Sequence, residues 1–245
     1  MATHVRVRHQ NRIVEGVLDG ESIRTEDGAA LARAGTTLLP SAAPSKIVCV
    51  GRNYAAHAKE LGNAVPSTPL LFFKPPSALI ADGEDIVYPP QSKNVHYEGE
   101  LAVIVGKRAR NVPAAQALEI VRGYTICNDV TARDLQKADG QWTRAKGFDT
   151  FCPLGPVWID PADLDLSGTR VRTFVNGELR QDGNTHDFIF TLPVLIEYIT
   201  AAFTLEPGDV ISTGTPEGVG PMQVGDTVAV SIDGIGTLTN RLVAP

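Results

Sequence analysis

The stretch His96-Tyr97-Glu98-Gly99-Glu100, running on as LAVIV through residue 105, decides how the rest of the chain is read. Five consecutive apolar residues with no polar alternation read as a strand buried on both faces. Residues two apart on a strand point the same way, so Glu98 and Glu100 present two carboxylates on one side of its mouth. An isolated Glu-x-Glu is ordinarily a solvated strand edge. At the mouth of a strand with no solvent face, however, two acids need a counter-ion, and a metal ion supplies one.

Working outward, a third acid lies in CNDVTARDLQ, residues 127–136. If a helix opens at Asp129, then Asp129, Arg133 and Gln136 stand at i, i+4 and i+7 and share one face. The alternative is a helix-capping aspartate with an exposed ion pair. Three oxygen donors without clustered Cys or His suit Mg²⁺ or Mn²⁺, with Ca²⁺ also admissible, better than zinc. They leave coordination positions for water and a chelating substrate.

A second constellation is GRNYAAHAKE, residues 51–60. His57 and Glu60 are at i, i+3 on an expected short helix and can touch. A carboxylate that accepts from imidazole fixes its tautomer and strengthens it as a base. A solvated helix face is the alternative. Lys146, in RAKGFDT (144–150), is a candidate cation for a substrate carboxylate, against the alternative of an exposed lysine. Thr215 lies in TGTPEGVG (213–220), a glycine-rich loop without the Gly-Lys-Ser/Thr of a phosphate loop or the spacing of a dinucleotide fingerprint. It offers N–H groups and a hydroxyl to a small anion.

The 245 residues are enough for one large domain, or a catalytic domain with a small appendage. With 28 acidic and 22 basic side chains the chain has no basic excess, so no nucleic-acid partner is expected. No apolar run approaches a membrane span, and residues 1–10 lack an apolar secretory core, so neither membrane nor export is expected. Cys49, Cys127 and Cys152 are odd in number and set among apolar residues, which suits buried thiols in a reducing cytoplasm.

Residues 1–42 read as short strands around an Asp19-Gly20 turn of type I′, ended by PSAAP (40–44); a small N-terminal β appendage is placed there and the main domain at 43–245. Turns at Asn176-Gly177 and Asp233-Gly234 mark two further hairpins. The alanine-rich stretch after Pro113, closed by Gly123, reads as one helix. Leu192, Leu195, Ile196 and Ile199 mark another. Strands and helices do not alternate regularly, so a mixed, β-rich α+β fold is expected, not a doubly wound sheet or a TIM barrel.

Five segments in one order, GRNYAAH, HYEGEL, NDVTARD, AKGFDT and TGTPEGVG, resemble the fumarylacetoacetate hydrolase superfamily from about Lys46 to Val243. The resemblance implies a β-roll catalytic domain, a homodimer, and a small 2-oxo acid as substrate. It implies that Glu98, Glu100 and Asp129 hold the metal. His57 and Glu60 match the water-activating dyad on a lid, with Lys146 in the catalytic set. Arg133, Gln136, Lys146 and Thr215 match substrate-contacting positions. The activity it implies is chemistry through a metal-bound enolate, foremost C–C hydrolysis of an acylpyruvate resembling fumarylacetoacetate.

Other members isomerise 2-hydroxyhepta-2,4-diene-1,7-dioate, or decarboxylate 5-oxopent-3-ene-1,2,5-tricarboxylate in aromatic catabolism, or decarboxylate oxaloacetate. NGELRQDG (176–183) and IGTLTNR (235–241) resemble that branch, whereas the surroundings of Lys146, with Phe148 and Cys152-Pro153, resemble the hydrolases. A metal-dependent phosphatase or nuclease would want a phosphate loop or basic groove, and neither is visible. A small-molecule binding module without turnover is the non-enzymatic alternative.

Overall fold

In a computed structural model of the chain, described at every residue except Leu61 and Asn63, all seven residues of the strand Gly99–Val105 are buried. It is buried because it is flanked on both sides. Val121–Asn128 pairs with it antiparallel over its whole length, with Glu100 opposite Cys127, and Val210–Ser212 pairs with its other edge. From Val210–Ser212 the sheet continues, parallel, to Ile47–Gly51 and then, antiparallel, to Leu70–Lys74. In the other direction it runs through Cys152–Ile159 to the N-terminal strands Thr3–His9, Arg12–Asp19, Ser22–Thr25 and Ala30–Ala32. Parallel and antiparallel pairings occur in one large sheet, the mixed β-rich architecture expected.

The N-terminal strands extend this sheet. Thr3 and His4 pair with Ile159 and Trp158, and Val5, Val7 and Ile23 enter the same apolar core as Leu101 and Val103. A second sheet, ordered Glu178–Asn184, Arg170–Val175, Thr227–Ile232, Gly236–Val243 and Asp85–Val87, packs across the first. The two are in close contact at Gly99. A Cβ there would lie 2.2 Å from Thr173 Oγ1 and 2.9 Å from Val230 Cγ1, so the glycine between the two glutamates is demanded by sheet packing.

Helix Leu192–Ala202 buries Leu192, Leu195, Ile196 and Ile199, as their spacing predicts. It packs on the segment after Pro113, and here the structure differs from the reading. Ala114–Ile120 is a 3₁₀ helix, and Gly123 belongs to the next strand. A Cβ at Gly123 would strike Trp158 Cδ1 at 2.6 Å, so this glycine serves close packing instead of stopping a helix.

The hairpin turns form with one revision. Asn176 and Gly177 (φ 52° and 82°) make the expected I′ pattern between Val175 and Glu178. Near the N-terminus Asp19 pairs with Ser22, so the loop is Gly20-Glu21, and only Gly20 has positive φ. That is the II′ pattern. The I′ signature falls instead on Gln10 and Asn11 (φ 47° and 62°). No helix among the described residues is long and apolar enough to cross a membrane.

Candidate metal centre and active site

The register of the two central strands assembles the acids. With Gly99 opposite Asn128, the chain delivers Glu98 and Asp129 side by side, and the Asp129 amide donates to the Glu98 carbonyl at 2.8 Å. The Glu98 amide donates to the Asn128 side chain at 3.0 Å, locking the same corner. Glu98, Glu100 and Asp129 are all buried, and one carboxylate oxygen from each lies within 4.8 Å of the others. Asp129, however, opens no helix. It directly follows the strand Val121–Asn128, and the helix begins at Arg133 (Arg133–Asp139) after a two-residue bridge strand, Thr131–Ala132. The acid comes from strand pairing and the Arg133–Gln136 pair from one helical turn, with Arg133 Nη1 donating to Gln136 Oε1 at 2.7 Å.

Buried carboxylates need compensation, and the three receive it unequally. Lys146 Nζ donates to Glu98 Oε2 at 2.8 Å and to Asp129 Oδ2 at 2.5 Å, and Arg133 Nη2 donates to Glu98 Oε1. Burial disfavours the ionised form of Glu98, but Lys146 and Arg133 outweigh it and hold its carboxyl well below the usual range. Burial also works against the Lys146 ammonium, and Asp129 with Glu98 more than restores it. Among the described residues Glu100 has only neutral donors, the Ser212 hydroxyl at 2.5 Å and the Gly214 amide at 2.9 Å. Burial, reinforced by Asp129 and Glu98, pushes its carboxyl up to about 8.

The expected dyad forms on helix Ala55–Glu60. His57, 4% exposed, brings Nδ1 to 3.3 Å from Glu60 Oε2, while Glu60 Oε1 accepts from the Gly218 amide at 3.0 Å. One carboxylate therefore grips the imidazole with one oxygen and the glycine-rich loop with the other. That loop is fastened again by the Tyr97 hydroxyl, which donates to the Gly218 carbonyl at 2.8 Å. Thr215 is held rigidly: its hydroxyl accepts from Gln181 Nε2 at 2.7 Å and donates to the Gly99 carbonyl at 2.9 Å. Its hydrogen is committed to the main chain.

A cavity of about 60 Å³ gathers eight of the nine expected residues, His57, Glu98, Glu100, Asp129, Arg133, Gln136, Lys146 and Thr215. Glu60 acts on it through His57. The reading from sequence passed over Lys74, fully buried at the end of Leu70–Lys74, whose ammonium donates to Asp129 Oδ1 at 2.7 Å and the Val130 carbonyl at 3.1 Å. Burial opposes its charge, and Asp129 overcomes this. It also passed over Arg52, Phe72 and Trp142 in the cavity wall. A lysine closing an apolar strand was the one available signal for Lys74. The three cysteines are buried free thiols, with Cys127 and Cys152 sulfurs 3.7 Å apart.

The donor set fits a hard divalent cation. All three donors are carboxylate oxygens, no thiolate or imidazole joins them, and Glu100 lacks a cation of its own.

Comparison with known proteins agrees with this geometry. The family model described as fumarylacetoacetate (FAA) hydrolase C-terminal matches residues 46–243. The chain belongs to the fumarylacetoacetate hydrolase family. It is 49% identical to an Arabidopsis thaliana protein named oxaloacetate tautomerase FAHD1, mitochondrial, over 78% of this chain and 87% of that one. A crystal structure of 5-carboxymethyl-2-hydroxymuconate delta-isomerase from Mycobacterium smegmatis superposes with a TM-score of 0.91 at 44% identity, covering 100% of this chain and 99% of that one. Fumarylpyruvate hydrolase from Pseudomonas aeruginosa, solved with Mn²⁺ and pyruvate, gives 0.78 at 36% identity, covering 85% and 92%. Relatives thus include hydrolases, isomerases and tautomerases, and one of the hydrolases was solved with Mn²⁺ bound.

Proposed function

We propose that this chain is a divalent-metal-dependent enzyme of small 2-oxo acids whose main reaction is hydrolysis of the C3–C4 bond of an acylpyruvate. The observation that supports this reading is the convergence, in one small cavity, of a three-carboxylate oxygen site and the His57–Glu60 pair. Glu98, Glu100 and Asp129 would hold Mg²⁺ or Mn²⁺, which supplies Lewis-acid stabilisation of negative charge developing on the 2-oxo acid.

The protein's own groups do the rest. With Nδ1 turned to Glu60, His57 keeps Nε2 as its free ring nitrogen at the cavity. Nε2 takes a proton from water as the oxygen adds to the distal carbonyl carbon. Collapse of that adduct breaks C3–C4, the electron pair passes to C3 as the enolate of pyruvate, and the imidazolium returns its proton to C3. Arg133 and Lys146 are fixed cations beside the charge that develops. We further propose that the enzyme works as a cytoplasmic homodimer.

A second reading, tautomerisation or decarboxylation of oxaloacetate, is favoured by the name carried by the 49% identical plant relative. It needs the same stabilised enolate and proton transfer at C3, but no attacking water. The test is to assay the Mg²⁺- or Mn²⁺-loaded protein against acetylpyruvate, oxaloacetate and a hydroxymuconate-type diacid, before and after exhaustive chelation. Acetylpyruvate cleavage that vanishes with EDTA and returns with metal supports the proposal. Turnover that survives chelation, or confined to oxaloacetate, would falsify it.

A further inference from the structure

Arg52 faces the cavity from a position where a side chain is costly. Its φ is 58°, in the left-handed region that favours glycine, yet an arginine stands there, immediately after the strand Ile47–Gly51. Its guanidinium carbon lies 5.9 Å from the Trp142 ring centroid, and among the described residues it forms no ion pair. Trp142 in turn stands edge-on to Phe72, and Lys146 Nζ approaches that ring from the catalytic side at 4.8 Å. Phe72 and Trp142 therefore line the same cavity as both cations, Lys146 at the carboxylate cluster and Arg52 at the mouth.

The wall is built to be there. A Cβ on Gly51 would lie 2.8 Å from Trp142 Cζ3, so the glycine admits the indole. Arg52, Phe72 and Trp142 also line a groove outside the cavity, so the two spaces share one boundary. Charge points the same way. Lys74, Lys146 and Arg133 are paired with the site's carboxylates and Arg52 lines the same cavity, so four cations accompany three acids before a divalent ion is added. The first three cations are bonded to site carboxylates, and Arg52 alone among them is left for a ligand.

We propose that Arg52 binds a second carboxylate of the substrate, making this site selective for 2-oxo dicarboxylates over 2-oxo monocarboxylates of equal length. The inference rests on the proposed 2-oxo acid chemistry and narrows its substrate class. The far carboxylate meets the Arg52 fork beside Trp142, while the 2-oxo acid end lies toward Lys146. A planar guanidinium held against an indole is suited to bidentate carboxylate binding.

The test is calorimetric titration of the Mg²⁺-loaded protein, with no turnover needed. 2-Oxoglutarate is compared with 2-oxopentanoate, and 2-oxoadipate with 2-oxohexanoate, since each pair differs only in the terminal carboxylate. In at least one pair the diacid binds roughly tenfold or more tightly, the reach of one charge-assisted hydrogen-bonded contact. Arg52→Asn, which suits the left-handed backbone, brings that ratio close to one, and Arg52→Lys restores part of it. A ratio near one for both pairs in the unmodified protein, or one unchanged in Arg52→Asn, overturns the inference. If Mg²⁺ binds but no 2-oxo acid does, the proposed function falls and takes this inference with it.

Discussion

Lys74 and Asp129 form an ion pair entirely out of solvent, with both side chains at 0% exposure and the ammonium 2.7 Å from Oδ1. Such a pair is not in itself a large source of stability, because desolvating both charges offsets most of their attraction. Removing one partner is another matter. Lys74→Met should leave Asp129 undercompensated and cost about 3–5 kcal/mol, or roughly 6–20 °C in melting temperature for a chain of this size. Because Asp129 is also an expected metal donor, saturating Mg²⁺ should recover part of the loss. Thermal melts with and without Mg²⁺ check this, and a variant melting with the unmodified protein in both conditions would remove Lys74 from the account.

Glu100 ties metal binding to pH. Its carboxyl is raised to about 8 against a usual 4.5, so the folded protein holds this proton more tightly than the unfolded chain. The sign follows: without metal, raising pH through this window removes stability, by at most about 1.4 kcal/mol per pH unit. Metal must displace the same proton, so Mg²⁺ affinity should rise by up to about tenfold per unit as pH climbs toward 8, then flatten. Calorimetric Mg²⁺ titrations from pH 6 to 9 measure it. An affinity flat across the range would show that Glu100 carries no proton there.

Oxalate should inhibit competitively with substrate. It is planar, offers adjacent oxygen donors and resembles the enolate of pyruvate, so a site built for that enolate should retain it. Acetate cannot form the same five-membered chelate and should be far weaker. Initial-rate inhibition with both ions decides the matter, and equal potency would argue against chelation of a 2-oxo acid.

His57 separates hydrolysis from decarboxylation. His57→Ala removes the base for the attacking water, so kcat/KM for acylpyruvate cleavage should fall by about 10²–10⁴-fold. Decarboxylation of oxaloacetate needs no such water, and the enolate left after CO₂ departs can take its C3 proton from solvent, so this reaction should stay within about tenfold of the unmodified enzyme. Glu60→Ala should lose cleavage in the same direction but less, because it orients the imidazole and also holds the Gly218 amide. Equal damage to both reactions would reassign His57 to closing the lid or assembling the site.

How far the sequence reveals this molecule depends on the range of each interaction. Glu98 and Glu100 are legible because strand periodicity is local, and the His57–Glu60 pair because i, i+3 contact is local. The turn at Asn176-Gly177 is legible since left-handed φ at both residues selects those types. Asp129 lines the cavity, but no helical spacing delivers it there: the register Gly99↔Asn128 does. Lys74 escaped notice because its partner lies 55 residues away, and Gly123 because its constraint is the Trp158 ring across the sheet. Such long-range constraints leave no periodic trace.

Gly99 carries a consequence for anyone who would change what this protein acts on. With no room for even a methyl group between Thr173 and Val230, the strand bearing the carboxylates is wedged against the opposite sheet, and its spacing cannot be retuned by substitution there. The mouth is free of that constraint: Arg52 and Trp142 are only half-buried and belong to a turn and a short helix end. Chemistry is set in an immovable floor and choice of substrate in a replaceable rim. Redesign of specificity therefore belongs first at residue 52, which is bonded to none of the site's carboxylates, whereas residue 142 also packs against Phe72 and Lys146.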